Sequence, residues 1–220
     1  MNLVQISGLP ATGKTTGTRF LDPKKTYYID ADGKGLSWKG WKSDYNTDNK
    51  NYAKTTDIPT IYKIIKTIAD SKPDINCIVI DTINAIMTTE EMEILENPSR
   101  DQWKDLAVST WNLYKMIREI KRDDLVVFVM AHCEPYDVNG ITHYRTMTNG
   151  KKLSKINLNA FLGYNLYTKV TKTPDGKFTY ELITQSDGTN EARSVMGVFD
   201  TKIDNNLEVV RKSVLEAETN

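Results

Sequence analysis

Apolar positions along this chain follow two rhythms, which take turns. Short, nearly unbroken apolar runs occur at Leu3-Val4-Gln5-Ile6, Thr26-Tyr27-Tyr28-Ile29, Ile75 to Ile80 and Leu125 to Met130. Runs of this length, rich in β-branched residues, predict strands buried on both faces. Between them the period lengthens. Ile61, Ile64, Ile65 and Ile68 recur at i, i+3, i+4 and i+7 and predict a helix from Ile58 to Ser71, with Asp57 as its cap and Pro59 in the first turn. Trp103, Leu106, Ala107, Thr110, Tyr114, Ile117 and Ile120 form the stripe of a longer helix reaching about Arg122, opened by Ser99-Arg100-Asp101-Gln102 as a capping box. Lys152 to Phe161 reads as a short helix and Asn205 to Glu218 as a last one. Residues 33–56 are polar around Trp38 and Trp41 and read as a long, partly ordered loop. Thr173-Pro174-Asp175-Gly176-Lys177 joins Leu166–Thr171 to Phe178–Thr184 with a hairpin signature.

Strands alternating with helices predict an α/β fold, a mostly parallel sheet flanked by helices with an antiparallel β-hairpin towards the C-terminus. One domain over residues 1–220 is expected, its core spanning about 1–165 and the hairpin and helical segment about 166–220. No internal repeat or low-complexity tract interrupts it. In such sheets ligands bind outside the carboxyl ends of the strands. Residues 8–15, Asp30, Asp32, Asp81 and His132 all fall there.

Composition narrows the class. Hydrophobic content is 39% and charged content 26% over 220 residues, the balance of a soluble globular domain. The first strand begins at residue 2 or 3 and no apolar run reaches membrane-spanning length, so neither a signal peptide nor a membrane partner is expected. Cys77 and Cys133 lack metal-ligand spacing and read as small buried hydrophobes in a reduced cytoplasm. Formal net charge is zero, but its distribution is uneven. Val138 to Pro174 holds six cations, Arg145, Lys151, Lys152, Lys155, Lys169 and Lys172, and no acid. Asp81 to Asp101 carries six acids against Arg100 alone. Such segregation marks an electrostatic footprint.

Gly8-Leu9-Pro10-Ala11-Thr12-Gly13-Lys14-Thr15 spells G-x-x-x-x-G-K-[ST] between a predicted strand and a predicted helix that begins near Thr15 and Thr16. In that context the glycines let successive N–H groups form an anion nest, supported by the helix N-terminus. Lys14 is placed to reach the β- and γ-phosphates and the Thr15 hydroxyl to hold Mg²⁺. Asp81 ends an apolar strand, where a carboxylate can hold the magnesium water shell beside Thr15. Asp30 and Asp32 follow the second strand, and either can orient an attacking water or cap the turn at Gly33. His132 ends the strand after Asp81's and can contact the γ-phosphate or close the sheet edge. Arg193 is a candidate arginine finger or a plain surface arginine. Tyr136 and Tyr144, with Arg145, Lys151, Lys152 and Lys155, combine stacking rings and phosphate-tracking cations, the chemistry of single-strand binding.

These blocks, together with Ile78-Val79-Ile80-Asp81-Thr82, Asp101-Gln102-Trp103, Val129 to Glu134 and Ala192-Arg193 through Phe199, resemble those of phage-encoded RecA-like ATPases, among them single-strand annealing recombinases. The resemblance covers most of the chain. It implies a RecA-like P-loop NTPase core that binds and hydrolyses ATP with Mg²⁺. Asp32 would then be the carboxylate that activates water, although the family commonly carries Glu there, one methylene longer. His132 would be the nucleotide sensor, and the segment after it the second DNA-binding loop. Arg193 would be the first of two cations acting between subunits, with Val195 replacing the second. The loop after Asp81 would match the first DNA loop, but its acids argue against that role here. The implied partners are single-stranded DNA, further copies of the chain in a ring or filament, and a single-strand-binding protein. The implied compartment is the cytoplasm of a bacterial host.

Two other classes share the phosphate motif. A small-molecule kinase would use Arg145, Lys151 and Lys152 as a closing lid, yet no nucleoside-kinase signature accompanies them. A GTPase switch would use Asp30 to Gly33 or Asp32 to Gly35 as D-x-x-G, but Asn49-Lys50-Asn51-Tyr52 lacks the guanine-reading Asp.

Overall fold

The computed structural model describes residues 3–96, 102–149 and 158–219. The elements in chain order are β1 (Leu3–Gly8), α1 (Lys14–Gly17), β2 (Thr26–Asp30), α2 (Trp41–Asp44), β3 (Tyr52–Ala53), α3 (Ile58–Ser71), β4 (Cys77–Asp81), α4 (Ile83–Glu96), α5 (Gln102–Arg118), β5 (Val126–Val138), β6 (Ile141–Thr146), β7 (Tyr164–Lys172), β8 (Phe178–Ile183), β9 (Lys202–Asp204) and α6 (Leu207–Thr219). One sheet runs in the order β3-β2-β4-β5-β1-β7-β8-β9. It is parallel from β3 through β7, and β8 and β9 add antiparallel strands at one edge. The first strand of the C-terminal hairpin is therefore also the parallel neighbour of β1, with Ser7 opposite Tyr167.

Alternation along the strands splits the core between the two faces of the sheet. Leu3, Ile29, Ile78, Ile80, Val127 and Val129 pack with α3, α4 and α5 on one face. Val4, Ile6, Tyr28, Val79, Phe128 and Met130 pack on the other, against α6 and the segment holding Trp38 and Trp41. Burial on both faces is why these strands read as continuous apolar runs. The Asp57 carboxylate caps α3 by accepting from Thr60 N at 2.8 Å. Cys77 and Cys133 are buried free thiols. Among the described residues no helix is long and apolar enough to cross a membrane.

Several elements differ from expectation. The helix after the phosphate motif is only four residues long and runs into a 3-10 turn at Thr18–Phe20, since Gly17 weakens it and Pro23 follows. The polar stretch 33–56 is more ordered than a loop: it contains α2 and β3, and it buries Leu36 and Tyr45. The segment after Asp81 is the helix α4, with Ile83, Ile86 and Met87 in the core. The next helix stops at Arg118, and its expected capping residues 99–101 lie outside the described residues. Of the expected helix 152–161, only a 3-10 turn at Leu158–Phe161 falls within them. The strand expected to end at His132 runs on to Val138 and returns as β6, forming an arm. Asn139 and Gly140, both at positive φ (53° and 82°), make its turn, the pairing that two-residue hairpins favour.

Candidate functional site

The parallel strands β2, β4, β5 and β1 bring Asp30, Asp81, His132 and Gly8 to one edge of the sheet. β5 lies between β1 and β4, so His132 sits between the phosphate motif and Asp81. A cleft of about 420 Å³ opens above this edge. Its lining includes Pro10, Ala11, Gly13, Lys14, Thr15, Thr16, Asp32, Asp81 and His132 from the sequence-predicted set. Gly8, Leu9 and Thr12 are outside this lining but bond within the same loop, the Gly8 and Leu9 carbonyls accepting from Lys14.

Lys14 is 5% exposed and arches back over its own loop, donating to the Gly8 carbonyl at 2.9 Å and the Leu9 carbonyl at 2.8 Å. Burial pushes its ammonium down to about 8, against the pull of Asp81. So short a helix adds little dipole behind the loop, so the positive charge there rests on side chains, Lys14 among them. Thr12 Oγ1 donates to the Leu9 carbonyl at 2.6 Å and meets Thr168 Oγ1 on β7. Gly13 has φ 95°, and a Cβ there would lie 2.6 Å from the Tyr180 ring, so glycine is required twice over. Asn205 Nδ2 donates to the Gly13 carbonyl at 2.7 Å, clasping the loop from the residue just past β9.

Thr15 Oγ1 donates to Asp81 Oδ2 at 2.6 Å, and Tyr28 OH donates to the same oxygen at 2.6 Å. Burial pushes the Asp81 carboxyl up, resisted by these two hydrogen bonds. The Asp81–Thr82 peptide is cis. A buried carboxylate and a hydroxyl in contact form a hard-oxygen pair, which fits Mg²⁺. No cluster of three or more His, Cys, Asp or Glu that could hold a metal occurs among the described residues. A magnesium here would complete its shell with water and phosphate oxygens, as this ion commonly does.

The two acids after β2 separate clearly. Asp30 is buried, and its carboxylate accepts from Gly33 N at 2.7 Å, Gly35 N at 2.9 Å and Tyr52 OH at 2.6 Å. It is the turn-capping acid. Asp32 lines the cleft, accepts from Thr82 Oγ1 at 2.9 Å and pairs with Lys34 Nζ at 2.8 Å. Burial works against its charge, but the bonds from Lys34 and Thr82 outweigh it and hold the carboxyl below its ordinary value. The His132 backbone N–H donates to Asn84 Oδ1 at 2.7 Å, while its Nδ1 is buried without a hydrogen-bond partner. Burial, then the neighbouring Lys14, lowers its pKa.

The other predicted residues do not join this cleft. Arg193 is exposed and outside the lining; its backbone bridges to Asn165 on β7. Tyr136 and Arg145 share one face of the β5–β6 arm, the guanidinium lying 5.2 Å from the ring centroid. Tyr144 faces the other way and packs near Tyr167, so the two tyrosines form no common platform. Arg145 Nε donates to Glu134 Oε1 at 2.8 Å across the arm, which cancels the charge that the cation count assigned to it. Lys151, Lys152 and Lys155 lie outside the described residues.

Sequence reasoning missed Tyr28, Lys34, Thr82, Tyr180 and Asn205. Thr82 stands directly after Asp81 and Lys34 within two residues of Asp32, so proximity to the motifs could have flagged both. Nothing local marks Tyr180 or Asn205, whose partners lie in the first motif. No protein-family model matches this chain, and comparison with curated proteins returned no match.

Proposed function

We propose that this chain is a RecA-like P-loop ATPase of the phage recombination type, which binds Mg-ATP and single-stranded DNA and promotes annealing or strand pairing as an oligomer. The observation that carries the nucleotide part is the 2.6 Å bond between Thr15 Oγ1 and Asp81 Oδ2. It joins the phosphate motif to the strand-end acid across 66 residues, the pairing that a shared magnesium requires. Thr15 and, through water, Asp81 would hold Mg²⁺, which would neutralise phosphate charge when bound.

The chain's residues then divide the work. Lys14 leaves its loop carbonyls and donates to the phosphates instead. Asp32, held anionic in the cleft, orients a water and takes its proton as the water oxygen bonds to the γ-phosphorus. The bond from that phosphorus to the bridging oxygen breaks, and its electron pair leaves with ADP. His132, which lines the cleft between the phosphate loop and Asp81, would be the sensor of nucleotide state; its place in that lining supports the reading. DNA binding rests on the family resemblance and on the acid-free segment from Val138 to Pro174.

The test is equilibrium binding of a labelled single-stranded oligonucleotide, with and without Mg-ATP, at two salt concentrations, alongside phosphate release. Salt-sensitive binding that depends on nucleotide is the expected result. Nucleotide binding without any DNA binding would remove the recombination reading and turn to the small-molecule kinase, to be pursued with a phosphate-acceptor screen.

A further inference from the structure

Lys34 is an exposed lysine on an unusually well-fixed base. Gly33 and Gly35 flank it at φ 67° and 78°, left-handed conformations that favour glycine. The buried Asp30 carboxylate grips the N–H of both glycines, with Tyr52 OH completing its shell. The backbone on each side of Lys34 is thus pinned, while its side chain remains 74% exposed. Its ammonium lines the same cleft as Lys14 and Thr15 and rests on Asp32 at 2.8 Å. An ion pair this exposed contributes about 0–1 kcal/mol, so it is easily exchanged for a stronger anion. A triphosphate brings such an anion, and a flexible ammonium suits it as a point charge.

Resting on the nucleotide reading above, we propose that Lys34 is a γ-phosphate clamp supplied by the chain's own β2–β3 segment. It exchanges the Asp32 carboxylate for the terminal phosphate. Recognition of a triphosphate over a diphosphate then needs no neighbouring subunit, and the exchange leaves Asp32 free to hold water. This assigns to a residue in the cleft the recognition that Arg193, exposed and outside the lining, would have to supply from another copy.

The experiment is calorimetric titration of Mg-ATPγS and Mg-ADP into the wild type, Lys34→Ala, Lys34→Arg and Lys14→Ala. Lys34→Ala should lose about 10-fold in ATPγS affinity, the scale of one charge-assisted bond, and stay within about 2-fold for ADP. Lys34→Arg should restore the preference, and the preference should not change with protein concentration. Equal loss for both nucleotides, no loss for either, or a preference that vanishes on dilution would overturn the clamp while leaving the nucleotide site standing. Failure of the wild type to bind either nucleotide, or full binding by Lys14→Ala, would instead remove the nucleotide reading itself and the clamp with it.

Discussion

The cleft and the β5–β6 arm start from the same strand and are built in opposite ways. In the cleft several polar groups are held by partners from distant parts of the chain: Thr15 by Asp81, Thr12 by Thr168, Gly13 by Asn205. Those contacts are buried or half-buried and fix charge where the surrounding protein offers little solvent screening. The arm is local. Tyr136, Val138 and Ile141 stand exposed on it, and Arg145 spends its charge on Glu134, its partner on the adjacent strand. A preorganised pocket and a solvated ribbon respond differently to substitution, and that difference can be tested.

Lys14→Ala should have the largest effect. It removes the buried cation of the loop and should lower Mg-ATP affinity by about 100-fold or more, read by calorimetry. Unchanged affinity would mean that the cleft is no better organised for phosphate than the arm. A sharper cut separates the two acids at the end of β2. Asp32→Asn should reduce kcat by about 10²–10⁴-fold with nucleotide affinity retained, since it removes a proton acceptor and leaves the fold alone. Asp30→Asn should instead lower stability by about 1–3 kcal/mol in denaturant unfolding, because an amide cannot accept three hydrogen bonds with both ends. Reversal of those two outcomes would exchange their roles. The smallest effect belongs to the arm. Glu134→Gln frees Arg145 and should raise single-strand affinity about threefold at low salt, within the range of an exposed ion pair. No change at any salt concentration would place DNA contacts elsewhere on the chain.

How much of this was legible follows from the range of the interactions. The strands, α3 and its cap, and the phosphate motif rest on neighbours in sequence, so their patterns identify them. Asp81 was legible because a strand-end acid after such a motif has few other uses. Asp30 and Asp32 were not separable, since both follow the same strand and only the course of the backbone at Gly33 and Gly35 decides which carboxylate turns inward. The arm had a clear local signal in Asn139-Gly140, but the family resemblance made this segment a DNA-binding loop and the count of cations agreed with that. That count followed sequence, whereas Glu134 neutralises Arg145 across the ladder. Tyr180 and Asn205 carry no mark at all, because their contribution exists only where β8 and β9 close against the first loop.

The clasp from Asn205 to the Gly13 carbonyl spans 192 residues, and it bears on how the protein is made. The glycine-rich loop leaves the ribosome long before the residue that clasps it. Its carbonyl waits for a side chain translated 192 residues later, and the wall formed by Tyr180 arrives hardly sooner. A nascent chain therefore carries the complete motif through the synthesis of all the residues between without a finished pocket around it. Premature stops upstream of Asn205 would yield polypeptides that retain the motif in sequence but lack its closing contact.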